Sequence, residues 1–227
     1  MAVGVKVNEV FHTFADYSMP ICYIFNMRKR FIVGIDEAGR GPLAGPVSVA
    51  VLAVSVGANL KPLNFNGHDS KKLSPTRRSE LFTQIREWKK IGHCRFAVSF
   101  TRAPTIDKIG ISKSVKMAIS RCLRHLMVHP NSCKILLDGS LKASPKYKNQ
   151  KTIIRGDELV PIIALASVLA KVTRDRHMVR MGKIFPKYQF HVHKGYGTRL
   201  HYRLIKKHGL CPLHRRSFLK GLAKKHS

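Results

Sequence analysis

Phe31-Ile32-Val33-Gly34-Ile35-Asp36-Glu37-Ala38-Gly39-Arg40-Gly41-Pro42 is the stretch from which the fold can be read. The apolar run Phe31 to Ile35 gives way to two adjacent carboxylates and then to a turn punctuated by glycine and proline, after which Val47 to Val54 is rich in valine and alanine. Two strands joined by a structured loop account for that order. Consecutive strand residues point to opposite faces, so Asp36 and Glu37 can share a site only if the strand ends at them. Gly39 and Gly41 remove side chains that would hold backbone amides away from a sugar or phosphate; the alternative is tight-turn geometry alone.

Outward from this stretch, strands and helices interleave. Ser74-Pro75 supplies an N-cap and a proline at the first helical position, predicting a helix to about Lys90 with Leu81, Ile85 and Trp88 on one face. Cys94 to Phe100 alternates as a strand, and residues 105–128 read as one long amphipathic helix with Gly110 as its weak point. Ile135 to Leu137 is a short buried strand ending at Asp138-Gly139, and Thr152 to Ile154 is another. Pro161 opens a helix to about Arg180, and Arg199 to His208 forms a last one, stopped by Gly209. The expectation is an α/β domain with a mixed sheet. Residues 1–30 lack a clear period and end in Arg28-Lys29-Arg30; they read as a poorly ordered leader, with Met27 as an alternative start. Interruption by Asp16 and Asn26, with the charges last, argues against a secretory signal. The domain is expected over 31–219, with 220–227 a basic tail.

The chain has 227 residues, 42 Lys+Arg against 12 Asp+Glu and a formal net charge of +30. Such an excess opposes compaction unless a polyanion balances it, so nucleic acid is the first candidate partner and an anionic membrane surface the second. No apolar run is long enough to span a bilayer, and no basic amphipathic helix carries the large apolar anchors of a membrane-surface protein. The five cysteines are odd in number and scattered, which argues against a disulfide framework or thiolate zinc site and for a reducing cytoplasm. His191 and His193 have metal-ligand spacing but no nearby cysteine, and read as a solvated or phosphate-facing pair rather than a zinc site.

In so basic a chain the acids carry information. Asp36-Glu37 and Asp138 sit at strand ends and Asp175 on the helix after Pro161, where loops leaving a sheet can bring them together. Converging carboxylates make a hard-oxygen site for Mg²⁺ or Mn²⁺, and two such ions can activate water and stabilise the leaving oxygen of a phosphodiester. Taken singly, each acid could equally cap a turn or pair with an arginine such as Arg174 or Arg176.

The run Gly34 to Val47 resembles the opening signature of bacterial ribonuclease HII, the type 2 ribonuclease H. Further resemblance follows in family order: Asp69-Ser70-Lys71-Lys72-Leu73, Leu137-Asp138-Gly139, Ala166 to Arg176, Lys194-Gly195-Tyr196-Gly197-Thr198 and His214-Arg215-Arg216-Ser217-Phe218. It implies a ribonuclease H-like fold, a mixed sheet flanked by helices with a helical C-terminal portion. It also implies endonucleolytic hydrolysis of RNA in RNA–DNA hybrids and nicking 5′ to a single ribonucleotide in duplex DNA, leaving 3′-hydroxyl and 5′-phosphate ends. Asp36, Glu37, Asp138 and Asp175 match the family's catalytic, metal-binding acids. Gly39-Arg40-Gly41 matches the segment that reads the ribose 2′-hydroxyl, and Tyr196 the ring that packs on the deoxyribose 3′ of the ribonucleotide. Lys71 and Lys194 match segments facing the backbone. On the late helix, small Ala164, Ala166 and Ala170 would let Asp175 approach Asp36. Arg155-Gly156-Asp157 and Pro161 to Leu165 depart mildly from the pattern and leave Asp157 open between capping or orienting and metal binding. The tail lacks the glutamine-plus-paired-aromatics pattern of a sliding-clamp ligand, and a monomer is expected. The alternatives are the sister ribonuclease HIII, which lacks the Gly-Arg-Gly segment and uses Glu at the fourth acid, and a non-catalytic basic RNA-binding protein.

Overall fold

In the computed structural model, residues 30–60, 63 and 73–220 are described. The expectations for the leader, for Lys71 and for most of the tail lie outside them. In chain order the elements are β1 (Phe31–Ala38), β2 (Val47–Ser55), α1 (Pro75–Lys90), β3 (Cys94–Thr101), α2 (Ala103–Ile109), α3 (Ile111–His125), β4 (Cys133–Asp138), β5 (Gln150–Ile153), α4 (Gly156–Leu159), α5 (Pro161–Ile184), α6 (Phe190–His193) and α7 (Arg199–His208). The strands form one sheet in the order β3-β2-β1-β4-β5, antiparallel from β1 through β3 and parallel from β1 through β5. The mixed sheet of an α/β domain is therefore present, and the helices after α5 form the C-terminal portion.

Alternation along β1 sorts the two cores. Val33 and Ile35 pack with Val115, Ile119 and Leu123 of α3 on one face. Ile32 and Ala38 point to the other, against α1 and α5, where Leu81, Ile163 and Val168 are buried. On that side α5 lies close to the sheet: a Cβ at Gly34 would fall 2.3 Å from the Ile162 carbonyl oxygen. The fully buried Ala164, Ala166 and Ala170 fit the expectation of a closely seated helix.

Two helix readings are corrected. The single helix over 105–128 is two, because Gly110 adopts φ +79, a left-handed conformation that interrupts the hydrogen-bond ladder between α2 and α3. The helix opened by Pro161 continues past Arg180 to Ile184. The Ser74 cap is as expected, its side chain accepting from the Arg77 amide at 3.1 Å.

Candidate active site

The first acids sit where β1 loses one neighbour. Its parallel pairing with β4 ends at Ile35–Leu137, whereas antiparallel pairing with β2 continues to Ala38–Ser48. The expectation that the strand ends at Asp36 is therefore corrected: β1 runs through both acids, and it is the β4 edge that falls away. Asp36, Glu37 and Asp138, the last residue of β4, line one cavity of about 390 Å³ together with Gly39, Lys171 and Tyr196.

Asp36 is 4% exposed. It accepts from the Glu37 amide at 2.7 Å and from the Ser167 hydroxyl on α5. Burial, the charge of Glu37 and, more weakly, that of Asp138 hold its carboxyl well above the usual carboxylate range, against the lowering effect of Ser167. Burial also raises Glu37; the Arg40 guanidinium, 3.7 Å away, opposes that shift and Asp138 adds to it. Asp138 is oriented by its neighbours, its Oδ1 accepting from the main-chain amide of the buried Asp157 at 3.3 Å. That contact is made by the Asp157 main chain and leaves the role of its carboxylate where the sequence left it.

Asp175 lies in the adjoining cavity, which shares Arg78 with the first and includes Lys194. It pairs with Lys171 one turn earlier, at 3.0 Å, rather than with either flanking arginine. The structure thus brings three of the four predicted acids round one cavity and leaves the fourth next door, with Lys171 between. Among the described residues, no three His, Cys, Asp or Glu side chains close into a metal-sized cluster. The donors nonetheless fit a hard divalent cation: they are carboxylate oxygens, Asp36 and Glu37 have raised proton affinity, and Glu37 Oε2 is buried with no hydrogen-bond partner.

The loop from Gly39 to Pro46 is held from beneath by two arginines that are fully buried. Arg215 donates to the carbonyls of Gly45 at 2.9 Å, Arg40 at 2.7 Å and Gly39 at 2.7 Å. Arg174 donates to those of Pro46 at 2.9 Å and Ala44 at 3.2 Å. Among the described residues neither is in ion-pair contact with a carboxylate, and burial pushes Arg215 down to about 9. Gly39 needs its glycine for the protein's own sake: φ is +88 and a Cβ would strike Arg174. At Gly41 no protein atom lies within 4 Å of where a Cβ would be, so only an approaching molecule would be obstructed there.

The Tyr196 loop is sewn to the same region. The amides of Leu43 and Ala44 both donate to the Gly195 carbonyl, at 2.8 and 3.2 Å. Gly195 has φ +86, with the Ala44 carbonyl oxygen 2.2 Å from a would-be Cβ. The Tyr196 ring is 39% exposed and has Lys171 and Arg174 within 5.5 Å of its centroid.

Three buried histidines support this loop. His193 Nδ1 accepts from the Gly195 amide at 3.1 Å, so its proton sits on Nε2, which donates to the Tyr188 carbonyl at 2.8 Å. His201 Nδ1 donates to the Tyr196 carbonyl at 2.9 Å, leaving Nε2 to accept from His214 Nε2 at 3.2 Å. His214 Nδ1 in turn accepts from the Cys211 amide at 2.9 Å. Every ring nitrogen is used and all three rings are neutral, consistent with burial pulling each below its ordinary value, His201 to about 4. The solvated reading of His193 is therefore corrected: it is buried and stacks on His201, with ring centroids 4.1 Å apart, while His191 alone is exposed. Arg174, Arg215, His201, His214 and Ser167 were not among the predicted site residues. Their signal was present, since Ser167, Arg174, His214 and Arg215 fall inside the motif segments, but polar types in a basic chain do not advertise burial.

Comparison with known proteins follows the same outline. The family model for ribonuclease HII matches residues 33–221. Ribonuclease HII of Endomicrobium trichonymphae is 43% identical over 187 residues, covering 82% of this chain and 84% of its own. Among solved structures, the PCNA:RNase HII complex from Archaeoglobus fulgidus superposes with a TM-score of 0.64 at 25% identity, covering 82% of this chain and 93% of that one. Bst-RNase HIII in complex with Mn²⁺ shares the fold, with a TM-score of 0.64 at 15% identity over 90% of this chain and 73% of its own.

Proposed function

This chain belongs to the ribonuclease HII family and is an endonuclease of RNA–DNA hybrids; from that premise we propose how its residues divide the work. Asp36, Glu37, Asp138 and Asp175 would hold the divalent cations, two Mg²⁺ or Mn²⁺ ions. When bound, such ions activate a water and stabilise the leaving oxygen. The main chain of Gly39-Arg40-Gly41 meets the ribose 2′-hydroxyl, and the open space at Gly41 permits a sugar to approach. Tyr196 packs on the deoxyribose at the junction. Lys194 and Lys71 face backbone phosphates. Lys171, paired with Asp175 and beside the Tyr196 ring, keeps a positive charge between the acids and the junction. The enzyme nicks 5′ to a lone ribonucleotide, leaves 3′-hydroxyl and 5′-phosphate ends, and works as a monomer in the cytoplasm. The four described cysteines, all free thiols, support that compartment. No helix among the described residues is long and apolar enough to cross a membrane.

The observation that carries this reading is that three of the four acids, Asp36, Glu37 and Asp138, line one cavity with Gly39 and Tyr196. A cleavage map on end-labelled duplexes with one, four or no ribonucleotides, with Mg²⁺, Mn²⁺ or chelator, tests it. One cut 5′ to the single ribonucleotide is expected, with none in all-DNA duplex and none in chelator. Cleavage of all-DNA duplex would overturn the reading.

A further inference from the structure

The charge excess of this chain is much larger than a four-acid cleft requires, and part of it is organised. Beyond Asp175 three cavities run on from one another along α5, α1 and the β3 edge, sharing Arg176, Arg180 and Arg121 at their borders. The first of them, of about 750 Å³, also shares Arg78 with the acid cavity. Arg86, on α1, lines the second. Among the described residues, Asp175, on the first, is the only carboxylate lining any of the three. Arg86, Arg121, Arg176 and Arg180 are exposed, and among the described residues none is ion-paired. Arg176 is nevertheless held in place, its guanidinium 4.5 Å from the centre of the Phe82 ring.

We infer that this groove is the track for the sugar-phosphate backbone of duplex flanking the cleaved site on one side, a contact that rests on the proposed endonuclease reading and lengthens its footprint. Exposed arginines that are not ion-paired, gathered on one stretch of surface with Asp175 as the acid at its edge, match a polyanion, and the guanidinium fork matches phosphate. The length is also appropriate. From Arg78 to Lys89, α1 covers about 16 Å at 1.5 Å per residue, or about five base pairs of duplex axis at 3.4 Å each. Because these contacts reach only phosphates, they carry no information about sugar or base, and flanks of DNA or of RNA–DNA hybrid serve equally.

The test uses the full chain with Arg86→Gln, Arg121→Gln and Arg180→Gln combined, which keeps most of each stem and removes three charges that lie outside the cavity of Asp36, Glu37 and Asp138. Binding is measured by fluorescence anisotropy, without divalent cations, on single-ribonucleotide duplexes whose flanks are 3 or 15 base pairs on either side. Wild type should bind more tightly when one particular flank is lengthened. The variant should lose that gain while matching wild type on the short duplex and in turnover at saturating substrate. Three lost phosphate contacts should flatten the slope of log K against log salt by about 2.7, so that between 50 and 200 mM salt the wild-type affinity falls about 40-fold further than the variant's. An unchanged slope and no dependence on flank length would leave the groove to another partner, such as an acidic protein, and overturn the inference. Equal loss on short and long flanks would also overturn it, by placing the arginines at the cleft. Failure of the wild type to cut at the ribonucleotide would instead count against the endonuclease reading.

Discussion

Two regions of this molecule bury charge, and they do so in opposite ways. Round the acid cavity, like charges are gathered: burial and the neighbouring carboxylates raise the proton affinity of Asp36, burial and Asp138 raise that of Glu37, and Glu37 Oε2 has no partner. Beneath the Gly39–Pro46 loop, Arg174 and Arg215 also lack an ion-paired partner among the described residues, yet they donate to five main-chain carbonyls. The first region gathers like charges with little to balance them, whereas the second, although Arg174 Nη1 is also buried without a partner, uses its donors to hold the loop. Buried charge of the first kind marks a binding site and of the second kind a scaffold. The two should respond to mutation with opposite signs.

The largest expected effect is on turnover. Asp138→Asn or Asp36→Asn should lower kcat by about a thousandfold or more, because a lost ligand charge disturbs the cations that position water and leaving group, while duplex binding holds or tightens as repulsion falls. Single-turnover cleavage alongside anisotropy would show it, and unchanged cleavage would dissolve the contrast. The same Asp36→Asn should raise the melting temperature of the metal-free protein by a few degrees, since it removes a buried, crowded carboxylate. Arg215→Met should do the reverse. It strands three buried carbonyls at about 1 kcal/mol or more each, so a loss of about 3 kcal/mol and a drop of roughly 6–12 °C are expected by calorimetry. A drop of under 2 °C would mean that the loop does not depend on its frame.

Smaller effects sharpen the comparison. Tyr196→Ala should cost about 1–3 kcal/mol, or one to two orders of magnitude in kcat/KM, at a single embedded ribonucleotide, and less within a long hybrid. Equal losses on both substrates would make the ring a general positioning group, and no loss would make it structural. The effect spread over the widest range of conditions is on pH. His201 is neutral when folded and titrates at about 4, against 6.5 in an unfolded chain. The folded state therefore binds fewer protons between those values, and the stability this imidazole contributes is present above pH 6.5 and lost as pH falls towards 4, by up to about 1.4 kcal/mol per unit. Asp36 has the opposite sign. Its raised carboxyl makes the folded state bind more protons above pH 3.8, so its contribution declines as pH rises. Urea denaturation from pH 7 to 4.5 should show a shallower acid loss in His201→Gln than in wild type, and a steeper one in Asp36→Asn.

What was legible in the sequence follows the range of the interaction. β2, with its valine and alanine run, the Ser74 cap of α1 and the Gly209 stop of α7 are local signals, and all are found where expected. The break at Gly110 registers only as a weak point, because periodicity does not report φ. The motif segments point to the acids, but how they share space depends on the register of β1 against β4, which no local pattern fixes. Gly34 looks like an ordinary strand glycine until the Ile162 carbonyl is placed against it. The arginine frame is the least legible part, since Arg174 meets Pro46 across 128 positions and Arg215 meets Gly39 across 176.

That last span bears on how the protein is made. Translation delivers β1 through α5 before Arg215 exists, so a nascent chain can pair its strands and gather its acids while the carbonyls of Gly39, Arg40 and Gly45 still face water. Lengthening a closing loop is cheap, about 0.6 kcal/mol for each doubling, so the distance delays the clasp more than it weakens it. The strands that carry Asp36, Glu37 and Asp138 can thus form without Arg215, whereas the Gly39–Pro46 loop waits for it.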